Sequence, residues 1–387
     1  MFIKIIVPFL LALTPLVTGA DGPDFSYGDA QFSTEYFRAA YNASGNCVIS
    51  PISIRLAMAA FYQVAGVATE ESIQRTFYLP VLKSLASDNA ASLFEEISTN
   101  DQLKVAFKVL KNQQPLADDF IAVLDKVFKI SPENFVEKSS VLTAVNSLAS
   151  MVSSERKRNF LNEDELSSNV DMVLFNAVAL RVTWAERFSV AKTNRQMFAF
   201  RNGAREVDMM HETMEVLYKS DDDDGDYHAV QIPFSEDSDL TMWIMVPRES
   251  SNFLSLVNSL SADLLEDMET TAIPKTVDLS LPRFEIRTNH VTTKVIEKLG
   301  RGQLFTDRDF NIFKGRKSGL GELVQSTLLK LDERGTHSAA AASSVSPAAS
   351  QNRARNVKFV ANLPFVFIVK KISSDTIIFI GHYSNYS

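Results

Sequence analysis

The sequence predicts an α+β protein with its helices gathered early and its strands late, and three observations carry that prediction. Apolar residues recur at helical spacing in the first part of the chain, through Phe32–Tyr41 and Ile52–Val67. From Val170 the texture changes to short apolar or alternating runs bounded by Pro, Gly, Asp or Ser. No Gly/Ser/Pro-rich linker interrupts the chain before Gly335, so the 387 residues read as one large domain rather than two or three.

The chain opens with one early cation, Lys4, then an apolar stretch from Ile5 to Val17, then small residues at Thr18 and Ala20. This order is that of a secretory signal over residues 1–20, cut after Ala20, leaving 21–387 as the mature domain. The apolar part, about 13 residues broken by Pro8 and Pro15, is too short to span a bilayer. A soluble, extracellular protein with no membrane partner is expected.

Between the first two helices, Asn46-Cys47-Val48-Ile49-Ser50-Pro51 marks a short strand and then a helix start, with proline in the first turn. Asp118–Phe128 and Thr143–Val152 are further helices. The strands expected after Val170 are Val170–Arg181, Ala229–Pro233, Leu240–Val246, Val277–Phe284, Leu323–Leu331, Val357–Phe359, Phe365–Val369 and Thr376–Gly381. Val291–Leu299 is one more helix, stopped by Gly300. There are no internal repeats.

Cys47 is the only cysteine, so no intrachain disulfide forms, and a chain of this length buries enough apolar surface without one. The formal net charge is −8 and no basic block stands out, which argues against nucleic acid or anionic membranes as partners and against a heparin cofactor site. None of the five histidines sits in a G-x-S-x-G or H-E-x-x-H context, so no enzyme, metal site or cofactor is expected. Asp221–Asp224 with Gly225 hints at a calcium loop, but the register puts Gln231 where a bidentate Glu belongs; a solvated acidic turn is the plainer reading. Asn42-Ala43-Ser44 is an N-glycosylation sequon, and Asn385-Tyr386-Ser387 a second, very near the C-terminus.

The stretch Glu333–Ala349 is a ribbon of small residues between two strongly apolar runs. Its alternate residues Thr336, Ser338, Ala340, Ala342 and Ser344 are small and uncharged, so one face of it fits a packed sheet without a clash or a buried charge. Gly335 stands where the chain must swing. Composition alone also allows a flexible linker or a short Ala-rich helix.

Five segments, in order, decide among these. Asn46-Cys47-Val48-Ile49-Ser50-Pro51-Ile52-Ser53, Phe175-Asn176-Ala177 through Trp184 and Phe188, and Leu281-Pro282-Arg283-Phe284 with Leu299-Gly300 and Leu304-Phe305 come first. Asp332-Glu333-Arg334-Gly335-Thr336 with the Ala run, and Leu363-Pro364-Phe365 with Ile378-Phe379-Ile380-Gly381, close the set. Together they resemble the serpin family across essentially the whole mature chain. The resemblance implies the serpin fold, three β-sheets with about nine helices, and an exposed reactive loop over about residues 333–356.

It also implies a suicide inhibitor. A serine protease attacks the loop as substrate and forms an acyl-enzyme, and the cut loop then inserts into the main sheet with the protease attached. Such a fold is metastable before cleavage. In this chain the hinge is Glu333, Gly335, Thr336, Ser338, Ala339, Ala340, Ala341 and Ala342. His337 stands where the family usually has Glu. Glu333 and Arg283 match a carboxylate–cation pair at the top of the main sheet, with Trp184 nearby. Ser50, Ser53 and Asn146 match a polar cluster beneath the sheet centre, where Gln325 replaces the usual His and supplies the same kind of hydrogen bonds. Counting from Glu333 puts the scissile bond at Ala349-Ser350, which suits an elastase-like protease. Arg353-Ala354 is the alternative, and implies a trypsin-like target. Leu148, Val64 and Val67 depart from the family pattern. With Gln325 they leave a second class open, a non-inhibitory binding or carrier protein. The expected inhibitor is a monomer.

Overall fold

The computed structural model describes residues 28–100, 102–153, 162, 163, 166, 170–220, 226–336 and 356–386. Among them the helices are α1 (Asp29–Ala40), α2 (Pro51–Val64), α3 (Val67–Thr76), α4 (Lys83–Thr99), α5 (Asp118–Phe128) and α6 (Lys138–Ser153). Four follow later: α7 (Phe253–Ser259), α8 (Ala262–Thr271), α9 (Thr292–Ile296) and α10 (Gln303–Thr306). The first strands are β1 (Cys47–Ile49), β2 (Leu103–Lys111), β3 (Glu133–Asn134), β4 (Met172–Leu180), β5 (Asn194–Phe200) and β6 (Gly203–Ser220). Next come β7 (Tyr227–Pro233), β8 (Leu240–Pro247), β9 (Ile273–Pro282), β10 (Phe284–Val291), β11 (Phe310–Phe313) and β12 (Arg316–Ser318). The last are β13 (Glu322–Leu331), β14 (Val357–Val360), β15 (Phe365–Lys371) and β16 (Thr376–Tyr383). The α+β class expected from the sequence is what the chain forms.

Helix α2 is buried around nearly its whole circumference, Ile52, Leu56, Ala59, Ala60 and Phe61 included, so it is a core helix rather than an amphipathic surface one. Its N-terminus follows β1 directly, with Pro51 at the first position. The continuous helix expected over Ile52–Val67 breaks instead at Ala65–Gly66. Ala65 bridges to Phe310 and the Gly66 amide donates to the Asp309 carbonyl at 2.7 Å. A Cβ on Gly66 would collide with the Asp309 carboxylate, so the chain turns there and α3 starts afresh at Val67. The apolar run Val277–Phe284 likewise belongs to two strands, β9 and β10, which meet at Arg283.

Strands assemble into three sheets. The five-stranded sheet runs β10-β13-β4-β2-β3; the nine-stranded sheet runs β1-β16-β15-β8-β7-β6-β9-β14 with β5 added on β6; β11 and β12 make the third. In the five-stranded sheet, β13 lies parallel to β4, from Glu322 opposite Val173 to Leu328 opposite Ala179. The outer neighbours β10 and β2 are antiparallel to them.

This sheet is buried on both faces, and the period of two sorts its residues. Leu174, Val178, Leu180, Leu323, Leu329 and Leu331 join the large core that contains α2. Val173, Phe175, Ala177, Ala179 and Val324 face the other way and pack with Val141, Val145 and Ala149 of α6. Helix α6 therefore lies across β4 and β2 on one face of the sheet, and α2 beneath the other.

Candidate functional site

The chain leaves β13 at Leu331 and turns back at once. Asp332 and Gly335 exchange backbone hydrogen bonds, Asp332 N to Gly335 O at 2.8 Å and Gly335 N to Asp332 O at 3.1 Å. Gly335 has φ +127, a conformation open to glycine alone. The position leaves no room for a side chain either. A Cβ there would strike the Val182 carbonyl and lie 2.7 Å from the Thr183 Cα. The tight turn thus needs glycine for two separate reasons.

Thr336 is the first residue past the turn and the last described residue of the ribbon before residue 356. It is already seated beside the end of β4. Its amide donates to the Val182 carbonyl at 2.7 Å, and its Oγ1 accepts from the Val182 amide at 2.6 Å. The residue is 9% exposed. A small hydroxylic side chain is what such a place admits, because its oxygen replaces a lost backbone partner without adding bulk.

Around the turn stands a polar and aromatic frame. Trp184 donates its indole N–H to the Asp332 carbonyl at 3.0 Å and its amide to the Arg334 carbonyl at 2.9 Å. Its ring stacks on Phe234 with centroids 4.7 Å apart. The Phe188 amide donates to the Glu333 carbonyl at 3.0 Å. Glu333 itself is buried, and its Oε1 accepts from Arg283 Nη2 and from Thr193 Oγ1, the latter at 2.7 Å. Arg283, 42% exposed, also reaches Asp208 at 3.7 Å. Burial alone would raise the Glu333 carboxyl. The hydrogen bonds from Arg283 and Thr193, with the Arg283 charge, outweigh it and hold the group below the usual carboxylate range. The same bond to Glu333 keeps the Arg283 guanidinium above its ordinary value.

A second polar cluster lies under the sheet, at the junction of α2 with β4 and β13. Gln325 Nε2 donates to the Ser50 carbonyl at 2.9 Å and to Ser53 Oγ at 2.8 Å, and its Oε1 accepts from the Ser50 amide at 3.1 Å. Ser53 Oγ donates to Asn176 Oδ1 at 2.7 Å, which Gln325 Nε2 also approaches at 3.3 Å. All four residues are 1% exposed or less. The amide carries both a donor and acceptor into this dry site, so Gln325 ties α2 to both central strands.

Ser50, Ser53 and Gln325 thus come together, but the asparagine that meets them is Asn176, not Asn146. Asn176 alternates with Leu174 and Val178 and so faces α2. Asn146 is half-buried on α6, which covers the opposite face of the sheet. Strand alternation around Asn176 is the signal that identifies it. Thr193 and Asp208, which complete the frame around Glu333 and Arg283, carry no local sequence mark; they arrive from β5's approach and from β6. Of the remaining residues expected to form a hinge, Ser338, Ala339, Ala340, Ala341 and Ala342 lie outside the described residues, as do Ala349, Ser350, Arg353 and Ala354 of the two candidate bonds, the acidic run at 221–225, and residues 1–20.

A family model described as serpin (serine protease inhibitor) matches residues 28–386. The chain belongs to the serpin family. A serpin-like protein of Thermococcus kodakarensis is 26% identical over 371 residues, covering 92% of this chain and 84% of that one. The structure of SRPN18 from Anopheles gambiae superposes with a TM-score of 0.83 at 26% identity, covering 94% of this serpin and 98% of that chain. Human thyroxine-binding globulin, solved in complex with thyroxine, shares the fold at a TM-score of 0.80 and 18% identity, covering 93% of this chain and 98% of that one. The family description names protease inhibition rather than enzymatic activity.

Proposed function

We propose that this serpin is a secreted, monomeric inhibitor of serine proteases that acts as a suicide substrate. The protease serine attacks the carbonyl of Ala349, or alternatively Arg353. The bond to Ser350 or Ala354 breaks, and the acyl-enzyme remains on the upstream half of the loop. That half then enters the five-stranded sheet between β4 and β13.

One observation carries this reading: the two central strands are parallel and adjacent, and the chain emerging from one of them has already turned toward the gap with Thr336 docked on Val182. A strand inserted after such a turn runs antiparallel to both β13 and β4. Insertion replaces the weaker parallel ladder with two antiparallel ones. At roughly 0.5–1.5 kcal/mol per added bond, several bonds amount to about 5 kcal/mol. The small, uncharged residues of the ribbon favour it further, since none resists burial. Glu333 and Arg283 at the mouth, and the Gln325 cluster below the centre, hold the uncut sheet closed.

The test is incubation with elastase-like and trypsin-like proteases, followed by denaturing electrophoresis and mass spectrometry of the released C-terminal peptide. An SDS-stable adduct supports trapping, and the peptide's first residue fixes the bond. Cleavage within the loop by both proteases without any adduct would sink the proposal and favour a non-inhibitory binding or carrier role.

A further inference from the structure

The two N-glycosylation sequons sit in opposite environments although they touch each other. Asn42, Ala43 and Ser44 follow α1 and are exposed. Asn42 Oδ1 accepts from the Ser44 amide at 3.0 Å and from Ser44 Oγ at 2.8 Å. Its Nδ2, the atom that takes a sugar, has no hydrogen-bond partner among the described residues, and the residue as a whole is exposed.

Asn385 is 5% exposed. Its Nδ2 donates to the carbonyls of Ala43 at 3.1 Å and Gly45 at 3.0 Å and to Ser384 Oγ at 3.2 Å. Asn46 answers from the other side. Its Nδ2 donates to the Asn385 carbonyl at 2.8 Å, and its Oδ1 accepts from the Ser384 and Asn385 amides at 2.8 and 2.9 Å. Two asparagines thus hook the 42–46 loop to the end of the chain. A sugar on Asn385 Nδ2 would remove one of these donors and fill the space held by two carbonyls.

We propose that Asn42 is the N-glycan site of the folded protein, and that Asn385, despite its sequon, is a clasp that stays unmodified and holds the glycan-bearing loop in place. This rests on the secretory reading above. In the transfer, Asn42 Nδ2 bonds to the anomeric carbon of a lipid-pyrophosphate-linked oligosaccharide. The carbon–oxygen bond to the pyrophosphate breaks, the lipid pyrophosphate leaves with the electron pair, and one amide proton goes to the transferase's base.

The full chain is expressed in insect cells in two arms, one with its own leader and one with residues 1–20 replaced by an established cleavable leader. The first arm tests secretion alone; the second tests the glycan whatever the first shows. Folded protein from the medium is treated with peptide N-glycosidase F in ¹⁸O water, which turns a glycosylated Asn into a labelled Asp. The peptide containing residue 42 is expected to carry the label and the C-terminal peptide to retain Asn385. Asn42→Gln abolishes the mobility shift, whereas Ser387→Ala, which removes only the second sequon, leaves it unchanged. Asn385→Asp, which sets a carboxylate against the Ala43 and Gly45 carbonyls, lowers Tm by several degrees. Label at residue 385, no label at residue 42, or an unchanged Tm in Asn385→Asp overturns the proposal.

Discussion

Replacing Gly335 with alanine isolates the turn proposed to start loop insertion. The backbone at φ +127 is a glycine conformation, and holding alanine there costs on the order of 1–3 kcal/mol. The new Cβ also meets the Val182 carbonyl, with the Thr183 Cα at 2.7 Å and the Trp184 amide at 3.0 Å, all backbone atoms that cannot rotate away. Against this stands what the docked turn gains, chiefly three bonds: the Thr336 amide to the Val182 carbonyl, the Val182 amide to Thr336 Oγ1, and the Trp184 amide to the Arg334 carbonyl. At roughly 1 kcal/mol each, three bonds amount to about 3 kcal/mol, comparable to the strain. A net loss of about 2 kcal/mol lowers the docked population about 30-fold. Hydrogen exchange at the Thr336 amide reads that population directly. In Gly335→Ala its protection is expected to fall about 30-fold, while amides in the centre of β13 stay protected. Insertion that begins from an undocked hinge is slower, so more loop is hydrolysed per adduct formed and the stoichiometry of inhibition rises. Unchanged protection at Thr336, or wild-type stoichiometry, would refute the assigned pivot.

Three further outcomes follow from the same geometry. Thr336→Arg requires burial of a charge beside Val182 and, under the proposed trapping mechanism, is expected to turn the chain into a plain substrate, measured as cleaved loop without adduct. Glu333→Gln weakens the contacts with Arg283 and Thr193; because Arg283 is 42% exposed, screening limits the loss to about 1 kcal/mol near neutrality. Since the Glu333 carboxyl is held below its ordinary 4.5, that contribution is complete above this pH and fades as pH falls through the lowered value, so wild-type and variant Tm converge in acid. Gln325→Ala leaves the Ser50 backbone groups, Ser53 and Asn176 short of partners and is expected to cost about 2–4 kcal/mol in urea unfolding. In double-mutant cycles Gln325 couples to Asn176, whereas Asn146, across the sheet, adds within about 0.5 kcal/mol.

Much of the fold was legible because burial wrote it in periodic form. Asp118–Phe128 was bounded correctly by its own apolar spacing and first-turn acids, and Leu240–Val246 and Phe365–Val369 announced themselves as continuous apolar strands. The long strand Gly203–Ser220 escaped notice because one of its faces meets solvent, so charges at Arg205, Glu206, Glu212 and Glu215 dilute the pattern. Lys83–Thr99 was hidden by a buried stripe built partly on Ala86 and Ala90, which carry little hydropathy contrast. At the site, Gly335, Thr336, Glu333, Arg283 and Trp184 were readable through motif order. Asn176 was quoted in the motif but not given its role, since choosing it over Asn146 needs the face of a strand rather than the identity of a side chain. Thr193 meets Glu333 from 140 residues away and Asp208 meets Arg283 from a distant strand, separations that no local pattern records.

The central claim is that the uncut chain stores a strand it has yet to insert, and the thermal midpoint before and after a single cut within residues 337–355 tests it most directly. The account predicts a large upward shift of Tm on nicking, with the two fragments remaining associated. A midpoint that stays where it was, or drops, would contradict it.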